Sequence, residues 1–281
     1  MVPIDNMGDQ GAQPIPGSVS VIIPTFDRVQ ALERAVRSCL AQTHPVMEVL
    51  VCDDGSTDGS KDMIAQLGDA RVQWLEGTPA GRPAVPRNRG IAAARGNWLA
   101  FLDDDDAWEA DKLRVQFDRL RGSGLRAACS NAYRIKPEDR NAGTYFSGPS
   151  RVLTLDDLLI VNQVICSSML VDRSLVQRIG GFPTLTELTA VEDYALWLRI
   201  STRTPILYCD EPLVRYSDSP SHSLRAHWTD ADKQRDAVLT ELLAWDGAAQ
   251  LDGSQLRSIR KRLRASRRAA GRPLRDWLFI R

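Results

Sequence analysis

The feature that most constrains the fold is a regular alternation of short apolar runs and helical patterns in the first 110 residues. The apolar runs are four or five residues long and mostly lack polar alternation, as strands buried on both faces of a parallel sheet do. Between them, residues such as Leu32, Val36 and Leu40 recur at helical spacing. This alternation predicts a doubly wound α/β sheet. The predicted strands are Val19–Ile23, Val49–Cys52, Val72–Leu75 and Trp98–Leu102, and the predicted helices are Arg28–Ala41, a segment capped by Ser56 or Thr57 that ends at Leu67, and Asn88–Ala94.

After Trp108 the pattern becomes mixed, because strand and helix patterns no longer alternate regularly. From Asp230 onward the chain reads as helical and increasingly basic. This half therefore predicts a mixed α/β part followed by a helical extension. The predicted strands are Ala127–Tyr133, Cys166–Val171 and Ile206–Cys209, and the predicted helices are Leu113–Leu120, Leu155–Val161, Ser174–Ile179 and Tyr194–Ser201.

Composition narrows the class of protein. The 281 residues hold 36 basic and 36 acidic side chains, so the net charge is zero and no reader motif indicates a nucleic-acid partner. Five cysteines without C-x-x-C spacing favour buried free thiols in a reducing compartment. Asp5 and Asp9 stand where a signal peptide needs apolar residues, and no apolar run approaches the ~18–20 residues of a membrane span. These features predict a cytoplasmic protein and leave its oligomeric state open.

Four consecutive carboxylates, Asp103 to Asp106, directly follow the fourth predicted strand. Adjacent carboxylates repel one another, and a hard divalent cation such as Mg²⁺ or Mn²⁺ relieves that repulsion with oxygen ligands. Alternate residues of an extended segment point the same way, so Asp103 and Asp105 are expected to face one site. A cation there would neutralise a diphosphate. The alternative is a solvated acidic loop, which the position at the ligand-binding edge of the sheet disfavours.

A second acidic turn, Asp53-Asp54-Gly55-Ser56, ends the second predicted strand. A carboxylate there can accept a hydrogen bond from the imide N–H of a nucleobase, and Gly55 permits a sharp turn with positive φ. The same residues are also typical of an Asx-turn that leads into the next helix. Both interpretations stay open from this turn alone.

Six motifs follow one another along the chain: Val21 to Arg28, Asp53 to Asp58, Arg87 to Ile91, Phe101 to Trp108, Gly180 to Pro183 and Glu192 to Tyr194. Taken in this order, they resemble the motifs of family 2 glycosyltransferases with the GT-A fold. That resemblance implies a Rossmann-like nucleotide-binding half joined to a mixed acceptor-binding half, followed by a helical extension. The expected parts are a flexible tail at 1–17, a nucleotide-sugar-binding subdomain at 18–115, an acceptor-binding subdomain at 116–229 and a basic helical extension at 230–281.

The resemblance implies roles on the donor side. Phe26 stands where Tyr is frequent in the family, which keeps stacking on the base and loses a hydroxyl, and Asp27 stands where Asn is usual. Asp53 matches the residue that reads the base. Asp103 and Asp105 match the D-x-D metal and diphosphate motif, with His222 as a displaced third ligand or, alternatively, a solvent-facing loop residue. The implied nucleotide-binding residues are Pro24, Thr25, Phe26, Arg28, Asp53, Asp54, Arg87, Asp103 and Asp104.

On the acceptor side, the resemblance places a catalytic carboxylate pair at Glu192 and Asp193. An inverting transfer needs a base that takes the proton of the attacking hydroxyl. Asp193 matches that base, and Glu192 orients it or contacts the acceptor. Without the resemblance, two carboxylates at a helix start are explained by the helix dipole.

The expected partners are a nucleotide-sugar, most often a UDP-sugar in the family, and a glycan or lipid-linked acceptor. The last 25 residues carry ten basic side chains and one Asp, and they include Trp277 and Phe279. They predict a solvated helix or a peripheral contact with an anionic membrane. Two other functions remain: a nucleotidyltransferase that makes nucleotide-sugars, and a non-catalytic module that binds nucleotide or glycan.

Overall fold

A computed structural model describes residues 17–137, 140–218 and 231–269. Within these residues ten strands form one sheet, whose main path runs β3-β2-β1-β4-β9-β6-β10-β5, with β7 paired to β6 and β8 to β10. The first half consists of β1 (Val19–Thr25), α1 (Val29–Leu40), β2 (Glu48–Asp53), α2 (Ser60–Leu67), β3 (Val72–Leu75), α3 (Ala84–Ala93) and β4 (Trp98–Phe101). The second half consists of β5 (Ala107–Trp108), α4 (Lys112–Leu120), β6 (Ala127–Lys136), β7 (Arg140–Thr144), β8 (Arg151–Leu153), α5 (Leu155–Ile160), β9 (Leu170–Asp172), α6 (Arg173–Arg178), α7 (Glu192–Ser201), β10 (Ile206–Ser217), α8 (Ala231–Ala244) and α9 (Gly253–Ala269).

The first half is the predicted parallel sheet. Strand β1 pairs in parallel with both β2 and β4, and β2 pairs in parallel with β3. Side chains of β1 alternate between two cores, with Val21 and Ile23 packed on one face of the sheet and Ile22 on the other. Burial on both faces explains why these strands read as nearly continuous apolar runs.

Helices cover both faces of the sheet. Helices α1, α2 and α4 contribute Leu32, Ile64 and Phe117 to the core on one face. Helix α3 and the helices of the second half, from α5 to α9, contribute to the core on the other. The sheet continues through both expected subdomains, and the expected boundary at 115/116 falls within α4.

The second half joins the parallel strands through antiparallel ones. Strand β9 lies antiparallel between β4 and β6, and β6 then pairs in parallel with the long strand β10. The sequence predicted one strand over Cys166–Val171, but the structure has a 3₁₀ turn at Cys166–Ser168 followed by the short β9. That turn carries Ser167 to the ends of β4 and β5, where it contributes to the site described below.

One capping prediction is wrong. Helix α2 follows Gly59, which has a φ of 87°, and Asp58 accepts the Ser60 N–H at 3.0 Å. Ser56 and Thr57 instead bind Asp27 in the loop after β1, through the Ser56 hydroxyl and the Thr57 N–H. They therefore hold two loops together and cap no helix.

Among the residues that the structure describes, no helix combines the length and the apolar composition needed to cross a membrane. The predicted helical extension is present as α8 and α9. These two helices pack on each other, α8 also packs on α7, and α9 also packs on α5.

Candidate active site

The site lies at the carboxyl ends of β1, β2 and β4, which meet at one edge of the parallel sheet. At the end of β2, Asp53 and Asp54 are both buried, at 5% and 7% exposure. Asp53 Oδ1 accepts the Ser56 N–H at 2.8 Å, so one of its carboxylate oxygens closes the turn locally, and this bond caps no helix. Asp54 accepts the N–H groups of Ala80 and Gly81, both at 2.8 Å, and so fixes the loop before α3.

The end of β1 supplies an exposed aromatic ring beside this turn. Pro24 and Thr25 are buried, whereas the side chain of Phe26 is 54% exposed. The backbones meet here, since the Asp54 N–H donates to the Thr25 carbonyl at 2.9 Å. An exposed ring next to a buried carboxylate provides a stacking surface and a hydrogen-bond acceptor for a planar heterocycle.

The aspartate run alternates between cleft and interior. Asp104 and Asp106 are buried at 5% and 3% exposure, whereas the side chains of Asp103 and Asp105 keep 32% and 29% of their surface exposed. Thr25 Oγ1 donates to Asp104 at 2.8 Å. The run is not the extended segment that the sequence suggested, because the Asp106 N–H donates to the Asp103 carbonyl at 3.1 Å and closes a turn over the four residues. Within this turn the first and third carboxylates are the more exposed pair, and the other two are bound by the protein.

Asp106 anchors the run to the second half of the molecule. It accepts the Ser167 hydroxyl at 2.5 Å and the Ser217 N–H at 2.7 Å. Ser167 Oγ also accepts the Asp103 N–H at 3.0 Å, so this one side chain holds both ends of the aspartate run. Sequence reasoning missed Ser167, because a Ser-Ser pair after an apolar run carries no signal of its own.

Two arginines and burial relieve the repulsion among these carboxylates. Arg28 donates to Asp104 at 3.0 Å and to Asp105 at 2.8 Å. Arg87 donates to Asp103 at 2.5 Å. Burial raises the pKa of Asp104 to about 7, and it raises the pKa of Asp106 well above its ordinary value. Burial therefore favours the protonated form of both carboxyls, which lessens the negative charge of the run.

Asp103 and Asp105 suit a hard divalent cation, since they offer partly exposed carboxylate oxygens at a strand end. Within the described ranges, no three or more His, Cys, Asp or Glu side chains are grouped to hold a metal. A cation there would complete its shell with diphosphate oxygens and water, as Mg²⁺ commonly does. His222, the third predicted ligand, lies outside the described residues.

Glu192 and Asp193 form the first turn of α7, as predicted. Both are buried, at 4% and 6% exposure. Asp193 Oδ1 accepts the Tyr194 N–H at 2.7 Å. Ala190, two residues before α7 begins, has a φ of 69°, a left-handed conformation that non-glycine residues rarely adopt. Such strain is found where the surrounding structure fixes a functional segment.

The two carboxylate groups share one neighbourhood, although Asp103 and Asp193 belong to different halves of the chain. Asp103, Glu192 and Asp193 all act electrostatically on the buried thiol of Cys166, whose pKa burial raises well above its ordinary value. Arg87 joins the groups directly, because it donates to Glu192 at 2.6 Å as well as to Asp103. The structure thus brings Asp103 of the aspartate run close to the Glu192–Asp193 pair.

Solved GT-A glycosyltransferases have the same architecture. S. aureus TarS in complex with UDP-GlcNAc matches with a TM-score of 0.69 and 18% identity, over 88% of this chain and 71% of the TarS chain. The mannosyltransferase PcManGT from Pyrobaculum calidifontis, in complex with GDP-Man and Mn²⁺, matches with a TM-score of 0.57 and 18% identity, over 95% and 80% of the two chains. The predicted GT-A fold is confirmed.

Sequence comparison gives the family. The model of glycosyl transferase family 2 matches residues 20–180. Escherichia coli WfaP, described as a UDP-Glc:alpha-D-GlcNAc-diphosphoundecaprenol beta-1,3-glucosyltransferase, is 31% identical over 185 residues, which are 66% of this chain and 70% of WfaP. The chain therefore belongs to glycosyl transferase family 2, as the motifs predicted.

Proposed function

We propose that this protein is an inverting, divalent-cation-dependent glycosyltransferase that moves a sugar from a UDP-sugar to a hydroxyl of a glycan or lipid-linked acceptor. One observation carries the proposal: Arg87 joins Asp103, at the donor edge of the sheet, to Glu192 of the buried pair Glu192–Asp193, so the two carboxylate motifs are neighbours. WfaP uses UDP-Glc and a diphosphoundecaprenol-linked acceptor by its description, which supports this choice of substrate class.

The donor side would hold the nucleotide through the residues at the ends of β1 and β2. Phe26 would stack on the base, and Asp53 would accept the imide N–H with the carboxylate oxygen that Ser56 leaves available. Asp103 and Asp105 would hold the cation, whose charge supplies electrostatic stabilisation of the departing diphosphate. Pro24 and Thr25 are buried at the end of β1, next to Phe26. Arg28 places a positive charge beside Asp105.

Asp193 would act as the base. The acceptor oxygen forms a bond to the anomeric carbon from the face opposite the nucleotide, while the bond from that carbon to the diphosphate oxygen breaks. The acceptor proton passes to Asp193, and the nucleoside diphosphate leaves with the bonding electron pair. A single displacement without a covalent intermediate inverts the anomeric centre, and a positioned base contributes about 10²- to 10⁴-fold to such a step.

The alternatives have weaker support. A nucleotidyltransferase is expected to have a glycine-rich phosphate loop after the first strand, whereas Pro24, Thr25 and Phe26 stand there. A binding module without turnover would not need a base, whereas Glu192 and Asp193 are both present and buried.

Release of nucleoside diphosphate separates the three functions. With a panel of UDP-sugars, Mn²⁺ and glycan or undecaprenyl-diphosphate-linked acceptors, the wild type should release UDP only when both donor and acceptor are present. Asp105→Asn should bind UDP about tenfold or more weakly in Mn²⁺ and lose most turnover, because it removes one of two cation-binding carboxylates. Undiminished, cation-independent UDP binding by this variant, measured by calorimetry, would contradict the cation site.

A peripheral membrane contact through α9 belongs to the same proposal. Helix α9 contains no acidic residue. Its exposed face carries four basic side chains that form no ion pair among the described residues. Such a face matches the negative charge of a cytoplasmic leaflet, where a lipid-linked acceptor would be held. The four are Arg257, Arg260, Lys261 and Arg264. The predicted membrane residues Trp277 and Phe279 lie outside the described ranges.

A further inference from the structure

Arg87 links the two sides of the cleft through one guanidinium group. Its two terminal nitrogens donate to different carboxylates, Nη1 to Glu192 Oε1 at 2.6 Å and Nη2 to Asp103 Oδ1 at 2.5 Å. These partners are 105 and 16 residues away in the sequence. The Arg87 residue is only 4% exposed, so this contact is an internal feature of the fold.

The surroundings of Arg87 favour this one arrangement. The guanidinium carbon lies 5.3 Å from the centre of the Phe182 ring, which covers the group from one side. Asn88, the next residue on α3, exchanges two hydrogen bonds with the Phe182 backbone, at 2.8 and 2.9 Å. Helix α3 is thus fastened to the segment that leads toward α7, and the planar fork of Arg87 can reach two carboxylates at once.

Arg87 is engaged with protein carboxylates on both of its terminal nitrogens. Each of these nitrogens donates one of its two N–H groups to a carboxylate, and Nε is buried without a hydrogen-bond partner. Charge-assisted hydrogen bonds in a buried setting are strong. Because the residue is only 4% exposed and binds two carboxylates, its contacts favour a role in holding Asp103 and Glu192 together over a role as a phosphate ligand.

We propose that Arg87 is a positioning residue that holds the acceptor-side pair Glu192–Asp193 in register with Asp103 of the cation motif. This inference rests on the proposed function. With Glu192 held by Arg87, the first turn of α7 and hence the Asp193 carboxylate keep a fixed place relative to the donor. A displacement of about 1 Å between reacting groups can lower the rate about 10²-fold, so the loss of this link should affect turnover more than donor binding.

The test compares Arg87→Lys and Arg87→Gln with a matched control. Arg199 is the control, because it is also a buried arginine of an ion pair, at 7% exposure, but its guanidinium binds Glu241 and the carbonyls of Ile179 and Gly181 instead of Asp103 or Glu192. UDP affinity in Mn²⁺ is measured by calorimetry, kcat and acceptor KM by UDP release, and folding by thermal unfolding. Arg87→Lys should keep UDP affinity within about threefold and lose about 10² in kcat, and Arg87→Gln should lose more. Arg199→Lys should lower the melting temperature and keep kcat.

A double-mutant cycle with Glu192→Gln separates positioning from independent contributions. Since Arg87 acts through Glu192, the change Arg87→Gln should cost much less turnover in the Glu192→Gln background than in the wild type. Additive losses would overturn the inference, as would tenfold weaker UDP binding by Arg87→Lys with kcat retained, or equal kcat losses in Arg87→Lys and Arg199→Lys. A wild type that releases no UDP with any donor and acceptor would refute the proposed function, and this inference with it.

Discussion

Lys112, the first residue of helix α4, provides a test of how burial affects an ionisable side chain in the core. Its side chain is fully buried, with Nζ 4.2 Å from the centre of the Trp108 ring and 2.9 Å from Gln116 Oε1. The titratable groups around it are the thiols of Cys39, Cys129 and Cys209, which offer little compensating charge. Burial lowers the pKa of Lys112 from 10.5 to about 7.

The perturbation is Lys112→Met, which keeps an unbranched side chain of similar length. In the wild type, the unfolded chain keeps the Lys112 proton up to its ordinary pKa, whereas the folded chain loses it near pH 7. The unfolded state therefore binds more protons above pH 7, so the free energy of unfolding of the wild type rises with pH in that window. One pH unit is worth at most about 1.4 kcal/mol, so from pH 7 to pH 9 the wild type should gain about 2 kcal/mol over the variant.

At pH 7 alone the two proteins should differ little. Burying the charged form costs the wild type about 4 kcal/mol by the same linkage. Against this, the variant leaves the Gln116 oxygen unpaired, at about 1–3 kcal/mol. It also loses a cation–π contact of about 2 kcal/mol, which only the protonated fraction of Lys112 makes. The opposing effects nearly cancel, and the pH dependence is the informative quantity.

Urea unfolding of both proteins at pH 7, 8 and 9 measures this difference. Ionisation of cysteines in the unfolded state is common to both proteins and cancels in the comparison. Lys61→Met is the matched control: Lys61 is exposed and paired with Glu76, which raises its pKa, so it stays protonated over this range and its variant should run parallel to the wild type. Parallel curves for Lys112→Met and wild type would refute the reasoning.

Two further predictions concern the chemistry and the surface. Asp193→Asn keeps the oxygen that accepts the Tyr194 N–H, so UDP binding should stay within about twofold while kcat falls about 10²- to 10⁴-fold; near-normal turnover, or a product of retained anomeric configuration by proton NMR, would contradict the base assignment. Replacing the four basic residues of the α9 face by Gln should remove about 4 kcal/mol of attraction to phosphatidylglycerol vesicles, at about 1 kcal/mol each, in sedimentation at low salt; phosphatidylcholine vesicles are the control, and unchanged sedimentation would argue for a merely solvated helix. The four are Arg257, Arg260, Lys261 and Arg264.

The parallel half of the sheet could be predicted because its signals are local. Strands β1, β2 and β4 are buried on both faces and β3 is half-buried, and each was predicted within two residues of its observed ends. Strand β7, Arg140–Thr144, escaped prediction because all five residues are exposed and polar or small. An edge strand of that kind has neither an apolar run nor a period-2 pattern.

The contacts of the site could be predicted only in part. The sequence expected Asp103 and Asp105 to face one site because it took the aspartate run as extended. The two are the more exposed carboxylates of the run, but the turn closed by the Asp106 N–H and the Asp103 carbonyl was not predicted. The partners of Arg87 could not be found this way. One of them, Glu192, is 105 residues distant, and a lone arginine at a helix start predicts only that an anion is near. Long-range pairing of buried charges depends on how the sheet brings the elements together.

The charges that the fold gathers here also explain why the cleft should take up a divalent cation. Six carboxylates, from Asp103 to Asp106 and at Glu192 and Asp193, surround two guanidinium groups, those of Arg28 and Arg87. Burial favours the protonated form of Asp104 and Asp106 by raising their pKa. Even with the charge of those two lessened, Asp103, Asp105, Glu192 and Asp193 outnumber the guanidinium groups of Arg28 and Arg87. A divalent cation would offset that excess of negative charge, and it would do so at Asp103 and Asp105, the two more exposed members of the aspartate run.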